Sequence, residues 1–354
     1  MSAVVVRSVG SCSLEPLALV EPGPGDVTVR LEASGICHSD ISVLTGDLAV
    51  GLPSVLGHEG AGIVVDVGGD VSTVRPGDRV VLSAVPTCGL CYFCARGEPN
   101  RCAQMQKLRR PNFTDGTTTL RGAAGLGTFS EALVVSERAV VPVRSDLPAD
   151  QLALLGCAVV TGAGAAINLA TIAPGDSVLV IGAGGIGLAA IQGARIQGAL
   201  PLVAFDPVSA SRALAQASGA THCFDPRDDD VNDQIRALTA GIGVDTVIDC
   251  VGSAATFEQA WALCRSGGTI VMVGVPAPDV RMTVPLTEFA LTGKRVIGCQ
   301  YGGSSVFRDI PKYVALAEAG RMDLGIFVGQ RVALDEVPSL LLGPLGPGRT
   351  VIIP

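Results

Sequence analysis

The sequence predicts an α/β protein in which a doubly wound parallel sheet is inserted into a largely antiparallel, β-rich domain. Three observations carry this expectation. Short β-branched runs separated by Gly-Asp and Pro-Gly turns fill the first part of the chain, strand-like and Ala-rich helical segments alternate from about residue 175, and the tail after about residue 300 returns to loops and short strands. Short runs with turn chemistry between them read as antiparallel strands, and regular strand-helix alternation reads as βαβ units around a parallel sheet.

In the first part the strand candidates are residues 27–31, 63–67, 79–82 and 132–135. In the second they are 177–181, 202–205, 246–249, 269–273 and 295–299, with helices expected over 187–197 and 208–217. A last strand closes the tail at 349–353. The expected domains are therefore 1–158 with 301–354, carrying a small lobe at about 84–110, and 159–300.

Composition narrows the function. A formal net charge of -8 over 354 residues leaves no basic footprint with which to neutralise nucleic-acid phosphates. No run of about 18 continuous apolar residues is present, so no membrane span is expected. Residues 1–10 show no basic segment leading into an apolar core, the pattern of a secretion signal. The 11 cysteines are odd in number and clustered, which favours metal-bound thiolates in a reducing compartment and a cytoplasmic location.

The cluster itself is Cys88, Cys91, Cys94 and Cys102, a C-x2-C-x2-C-x7-C run. Four thiolates at such spacings converge on one tetrahedral ion and leave no open position, which describes a structural zinc site. Iron-sulfur ligation is the alternative, but the fourth cysteine stands seven residues on and no proline follows it.

A second motif is Gly182-Ala183-Gly184-Gly185-Ile186-Gly187, between a strand candidate and a helix candidate. Among 45 glycines such a string alone is weak. Its context strengthens it, because Asp206 ends the next strand candidate. The glycines let backbone approach a pyrophosphate at a helix amino terminus, and the carboxylate accepts hydrogen bonds from an adenosine ribose. That carboxylate would repel a 2'-phosphate, so NAD is preferred to NADP, with Arg212 the nearby residue that tempers the preference.

Three further potential ligands, Cys37, His58 and Cys157, stand far apart in sequence. Singly each is ambiguous, since a cysteine in an apolar segment reads as a core thiol and a lone histidine as a hydrogen-bonded structural one. Together with Gly35-Ile36-Cys37-His38-Ser39-Asp40, Gly57-His58-Glu59-Gly60, the four-cysteine lobe, Gly156-Cys157, Thr161-Gly162, the glycine turn, Val273-Gly274-Val275-Pro276 and Arg349-Thr350-Val351, they carry a resemblance over nearly the whole chain. The sequence resembles the zinc-dependent alcohol dehydrogenases of the medium-chain dehydrogenase/reductase family.

The resemblance implies a GroES-like catalytic domain and a Rossmann coenzyme domain. It implies a catalytic zinc on Cys37, His58 and Cys157, the two-thiolate, one-imidazole set for which alcohol dehydrogenase is the general example, and a structural zinc on the lobe cysteines. Asp40 and Glu59 match carboxylates that orient the histidine. Ser39 matches the hydroxyl that takes the alcohol proton. His38 and Arg349 match coenzyme pyrophosphate contacts, while Thr161, Val251, Val273 and Val275 fall at other coenzyme positions. Ala84, Ala123 and Ala124 stand where relatives that use small alcohols carry bulky side chains, and Leu48 and Gln300 match further pocket positions. The resemblance thus implies a wide pocket for a bulky aliphatic, terpenoid or aromatic alcohol. Gln106 replaces the arginine of the glutathione-linked relatives, and Ser42 stands where many relatives end their proton relay with histidine. It also implies a homodimer paired through residues 296–301, with no nucleic-acid or membrane partner. The competing readings are a dismutase-like enzyme with tightly held NAD(H) and a non-catalytic NAD-binding protein.

Overall fold

Val27, Val29 and Leu31 alternate with Thr28 and Arg30, the period of a pleated strand. The computed structural model, which describes residues 1–354, forms the ten-residue strand Asp26–Gly35 there. Glu59–Val67 pairs with it antiparallel, Gly35 lying opposite Glu59, and Arg79–Leu82 extends the ladder beyond. Ala132–Ser136 pairs with the beginning of Asp26–Gly35, and the closing strand Arg349–Ile353 pairs with its end, Val351 opposite Gly35. A second sheet joins Ser2–Ser8 and Ser11–Pro16 to short strands at Ser54–Val55, Thr119–Gly122, Phe113–Thr114 and Ala18–Leu19. Most of these pairings are antiparallel, as the short β-branched runs require. Ile36, Val43, Leu44, Leu56, Phe129 and Ile352 belong to one buried apolar cluster of this unit.

The chain divides into two compact units, Met1–Ala158 with Ser305–Pro354, and Val159–Ser304. In the second unit all six strands are parallel. Their spatial order is His222–Phe224, Leu202–Phe205, Val178–Ile181, Val244–Asp249, Cys264–Met272 and Arg295–Gly298. Numbered along the chain this is 3-2-1-4-5-6, the doubly wound order, whose switch point falls between the first and fourth strands. Helices Gly185–Ile196 and Ser209–Ser218 are the crossovers expected from the Ala-rich segments. Val203, Phe205, Ile235, Val247, Phe257 and Trp261 pack the core on one side of the sheet.

Two regions differ from the sequence-based expectation. The tail does not hold only loops and short strands, because Val306–Glu318 is a 13-residue helix. Pro311 lies inside it and reads locally as a breaker. Burial of Val306, Ile310, Tyr313 and Val314 along one face outweighs the lost hydrogen bond. Residues 149–169 form a continuous 21-residue helical run whose most apolar 18-residue window has a mean hydropathy of 1.9, long and apolar enough to cross a membrane by length and composition. Of its most apolar window 78% is buried inside the protein, so its hydropathy is that of a core helix.

Candidate active site

The strand register of the first unit assembles the distant ligands. With Gly35 opposite Glu59, Cys37 follows the end of one strand and His58 precedes the start of its neighbour, at the same edge. Gly35 leaves the space that the Glu59 carboxylate occupies, because a Cβ there would strike it. Cys157 arrives from the helical run, within the π-helical turn Leu155–Val159. Single π-turns inside α-helices concentrate at functional sites. Gly156 lets this turn approach, since a Cβ there would lie 2.6 Å from the Leu82 carbonyl oxygen. The potential ligand atoms of Cys37, His58, Glu59 and Cys157 all lie within 4.8 Å of one another.

Asp40 holds this group in place. Cys37 caps the helix His38–Thr45, and its N–H donates to Asp40 Oδ2 at 2.9 Å. Asp40 Oδ1 accepts from the Gly57 N–H at 3.1 Å and faces His58 Nδ1 at 3.2 Å. One buried carboxylate therefore ties two ligand segments together and leaves Nε2 as the available imidazole nitrogen. Glu59, expected to orient the histidine as well, makes no hydrogen bond to it. Its Oε1 lies 3.2 Å from Arg349 Nη2, yet neither carboxylate oxygen has a partner in hydrogen-bonding geometry.

The electrostatics follow from burial. The Cys37 and Cys157 thiols face each other, and their mutual hydrogen bond holds Cys37 well below the usual thiol range and Cys157 well above it. Arg349 and His58 add to the stabilisation of a Cys37 thiolate. Burial pushes the Glu59 carboxyl up to about 7 against the pull of Arg349. For His58 burial acts downward, but Asp40 and Cys37 outweigh it and the imidazole is held well above its ordinary value. Two sulfurs, one imidazole nitrogen and a buried carboxylate that accepts no hydrogen bond, all within 4.8 Å, fit a zinc ion.

The lobe cysteines Cys88, Cys91, Cys94 and Cys102 likewise bring their sulfurs within 4.8 Å of one another. Backbone N–H groups of Cys88 and Cys91 point at Cys102 Sγ and Cys88 Sγ, each at 3.3 Å, as expected for sulfurs that carry charge. All 11 cysteines are free of disulfides.

In the second unit the strand Val178–Ile181 turns at Gly182, whose φ of 89° favours glycine, and Gly184 caps the helix Gly185–Ile196. A Cβ at Gly187 would run into the Gly182 carbonyl oxygen, so helix and turn can pack this closely only with glycine. Asp206 Oδ2 accepts from the Ala183 N–H at 2.8 Å and Oδ1 from the Val208 N–H at 2.8 Å. Arg212 donates to the Asp206 carbonyl oxygen at 2.7 Å and pairs with Asp225 at 3.2 Å. Thr161 is buried and its hydroxyl has no partner. Ile186 is half-buried, Val273 buried, and Val251 and Val275 exposed.

Of the remaining sequence-derived positions, Ser39 is half-buried, its Oγ 3.8 Å from Cys37 Sγ, and His38 is exposed. Arg349 is buried, donating to the Ile36 carbonyl oxygen at 3.2 Å and lying 3.6 Å from Cys37 Sγ. Ala84 and Ala123 are buried, Ala124 half-buried with a φ of 52°, and Leu48 and Gln300 exposed. Sequence reasoning missed Asp249, a fully buried carboxylate at the switch point that accepts from the Val251 and Gly252 N–H groups at 2.9 and 3.0 Å and from the Thr256 hydroxyl. An aspartate ending a strand before Cys-Val-Gly was the available signal.

A β-domain with two thiolate-bearing ligand groups, on one chain with a doubly wound sheet, defines a zinc-binding dehydrogenase. Residues 23–145 match the family described as alcohol dehydrogenase GroES-like domain, and residues 185–319 the family described as zinc-binding dehydrogenase. The chain belongs to the zinc-dependent alcohol dehydrogenases of the medium-chain dehydrogenase/reductase family. It is 40% identical over 356 residues to a geraniol dehydrogenase of Castellaniella defragrans, covering 96% of this chain and 93% of that protein. It is 36% identical over 347 residues to an NDMA-dependent alcohol dehydrogenase of Amycolatopsis methanolica, covering 95% and 93%. Its structure resembles that of benzyl alcohol dehydrogenase from Acinetobacter calcoaceticus, with a TM-score of 0.91 at 30% identity and coverage of 99% and 98%.

Proposed function

We propose that this alcohol dehydrogenase is NAD-linked and interconverts a bulky aliphatic, terpenoid or aromatic alcohol with its aldehyde or ketone, holding one catalytic and one structural zinc per chain. The observation that carries the proposal is the convergence of Cys37, His58 and Cys157 beside the buried Glu59 carboxylate, which accepts no hydrogen bond. A zinc ion held there would supply Lewis-acid polarisation of the substrate oxygen, and NAD held at the glycine turn would supply the hydride acceptor.

The protein's own residues do the rest. Asp40 fixes the tautomer and direction of His58 and the backbone of Cys37. Ser39, next to the Cys37 sulfur, takes the alcohol proton, and Ser42 adds no group that titrates near neutrality. Asp206 selects against a 2'-phosphate, and Arg212 and Arg227, which donate to the Asp206 and Pro207 carbonyls, are both paired with Asp225. Small side chains at Ala84, Ala123 and Ala124 leave room for a bulky substrate, and geraniol and benzyl alcohol in the names of similar proteins support that size class. The reading extends to a cytoplasmic homodimer, paired through the edge strand Arg295–Gly298.

A panel running from ethanol to benzyl alcohol and a monoterpenoid alcohol, with NAD and NADP in parallel, tests this. The bulky substrates should exceed ethanol in kcat/KM by more than about 100-fold, the sum of a few apolar groups at about 1–3 kcal/mol each. Ethanol as best substrate, or NADP as better coenzyme, would overturn the corresponding part. The NDMA-dependent relative favours one second reading, in which NAD(H) stays bound and is recycled by a second substrate. Turnover without added coenzyme after gel filtration would select it.

A further inference from the structure

The chain leaving the four-cysteine lobe is fastened to both stretches that the proposed function assigns to the substrate wall. Asn112 is almost fully buried, and its side chain makes three hydrogen bonds. Nδ2 donates to the Val134 carbonyl at 2.8 Å and the Gly125 carbonyl at 3.2 Å, while Oδ1 accepts from the Gly122 N–H at 3.1 Å. These bonds pin both ends of the turn 122–125 that carries Ala123 and Ala124. The turn needs pinning, because Ala124 has a φ of 52°, a left-handed conformation in which its Cβ crowds the following carbonyl oxygen.

Arg109 acts on the other stretch. Its Nη2 donates to the Ala84 carbonyl oxygen, and its aliphatic stem covers Gly125, where a Cβ would collide with it. Arg109 and Asn112 follow directly on the short helix Met105–Leu108, just beyond the last lobe cysteine.

We infer that Arg109 and Asn112 are specificity-determining positioning residues, which set the separation of Ala84 from the turn 122–125 and so the size of alcohol accepted. The inference rests on Ala84, Ala123 and Ala124 facing the substrate. The hydrogen bonds these two side chains make to Ala84, Gly122, Gly125 and Val134 all go to backbone outside the Cys37, His58 and Cys157 group, so the effect is on selectivity rather than on the chemical step.

The test compares Asn112→Asp, Arg109→Lys and Arg109→Gln with the direct wall variant Ala123→Leu in the zinc-loaded enzyme. Asn112→Asp keeps the acceptor for Gly122 and loses both donors; Arg109→Lys keeps a cation able to reach Ala84, and Arg109→Gln removes the charge. The readouts are KM and kcat for graded alcohols, the metal content, and NADH binding by fluorescence. Expected for Asn112→Asp and Arg109→Gln is a change of at least about 10-fold in the bulky-to-small ratio of kcat/KM, the effect of about 1.4 kcal/mol, carried by KM. Metal content and NADH affinity should hold, and Arg109→Lys should restore most of the ratio. An equal fall for every alcohol, or an unchanged ratio in both variants while Ala123→Leu shifts it, overturns the clamp. If Ala123→Leu also leaves the ratio unchanged, the wall assignment itself fails. Should Asn112→Asp not fold, the Arg109 pair decides.

Discussion

Replacing Asp40 with asparagine should weaken the hold of Cys37, His58 and Cys157 on a metal ion while leaving the hold of the lobe cysteines unchanged. Asparagine preserves the shape of the side chain but has one acceptor oxygen where aspartate has two. In the better orientation that oxygen keeps Gly57 and His58, now without charge, and the amide nitrogen faces the Cys37 N–H that Oδ2 accepted at 2.9 Å. A buried N–H left without an acceptor costs about 1–3 kcal/mol, and replacing a charge-assisted bond by a neutral one costs about 1 more. The sum, roughly 2–4 kcal/mol, falls on the arrangement of two ligands, and outer carboxylates of this kind typically alter metal affinity by about 10–100-fold. Chelator titration followed by elemental analysis reads both sites at once, with the lobe as internal reference. The catalytic-site midpoint should move to lower chelator concentration by that factor, and activity should fall with occupancy. An unmoved midpoint, or loss of both metals together, would refute the reasoning.

Exchange of Gly187 for alanine should destabilise the second unit by at least about 3 kcal/mol, because the new methyl meets backbone at Gly182; an unchanged Tm would contradict this. Cys91→Ala should lower Tm before it lowers kcat, and Cys157→Ala should do the opposite, as unfolding and steady-state assays on the same samples will show. In metal-stripped protein, alkylation should begin at Cys91, whose thiol the Cys94 and Ala103 N–H groups bring down to about 6, while Cys94, raised to about 12 chiefly by desolvation, stays protonated. Peptide mapping across pH should show Cys91 labelling already near neutrality, and uniform labelling of both would be inconsistent with the geometry. Activity should climb steeply toward alkaline pH, and Ser42→His should flatten that climb near about pH 6.5–7; identical profiles would remove Ser42 from the argument.

The most legible parts of the chain were those whose physics is local. The lobe cysteines lie within fifteen residues, and the glycine turn sits between one strand and one helix, so neither depends on distant pairing. The strands at Leu202–Phe205 and Arg79–Leu82 are legible because each is a short apolar run flanked by Pro, Gly or Asp, too short for a helix. What escaped is non-local. Arg349 meets Glu59 only because Val351 pairs with Gly35 and Gly35 with Glu59, a double register that no spacing reveals. Asn112 looks like a loop residue until three backbone groups from other segments are brought to it. Pro311 masked a helix whose apolar face is clear once the proline is ignored.

The π-turn Leu155–Val159 makes one thiol a matter of counting. A π-turn holds one residue more than an α-turn over the same stretch of axis. Deleting a single residue between 155 and 159 would return this turn to α-helical spacing and leave the second π-turn, Ala165–Leu169, in place. It would also swing the face bearing Cys157 by about 100°, one residue's rotation in an α-helix. In this segment the placing of one candidate metal ligand rests on the presence of a single residue.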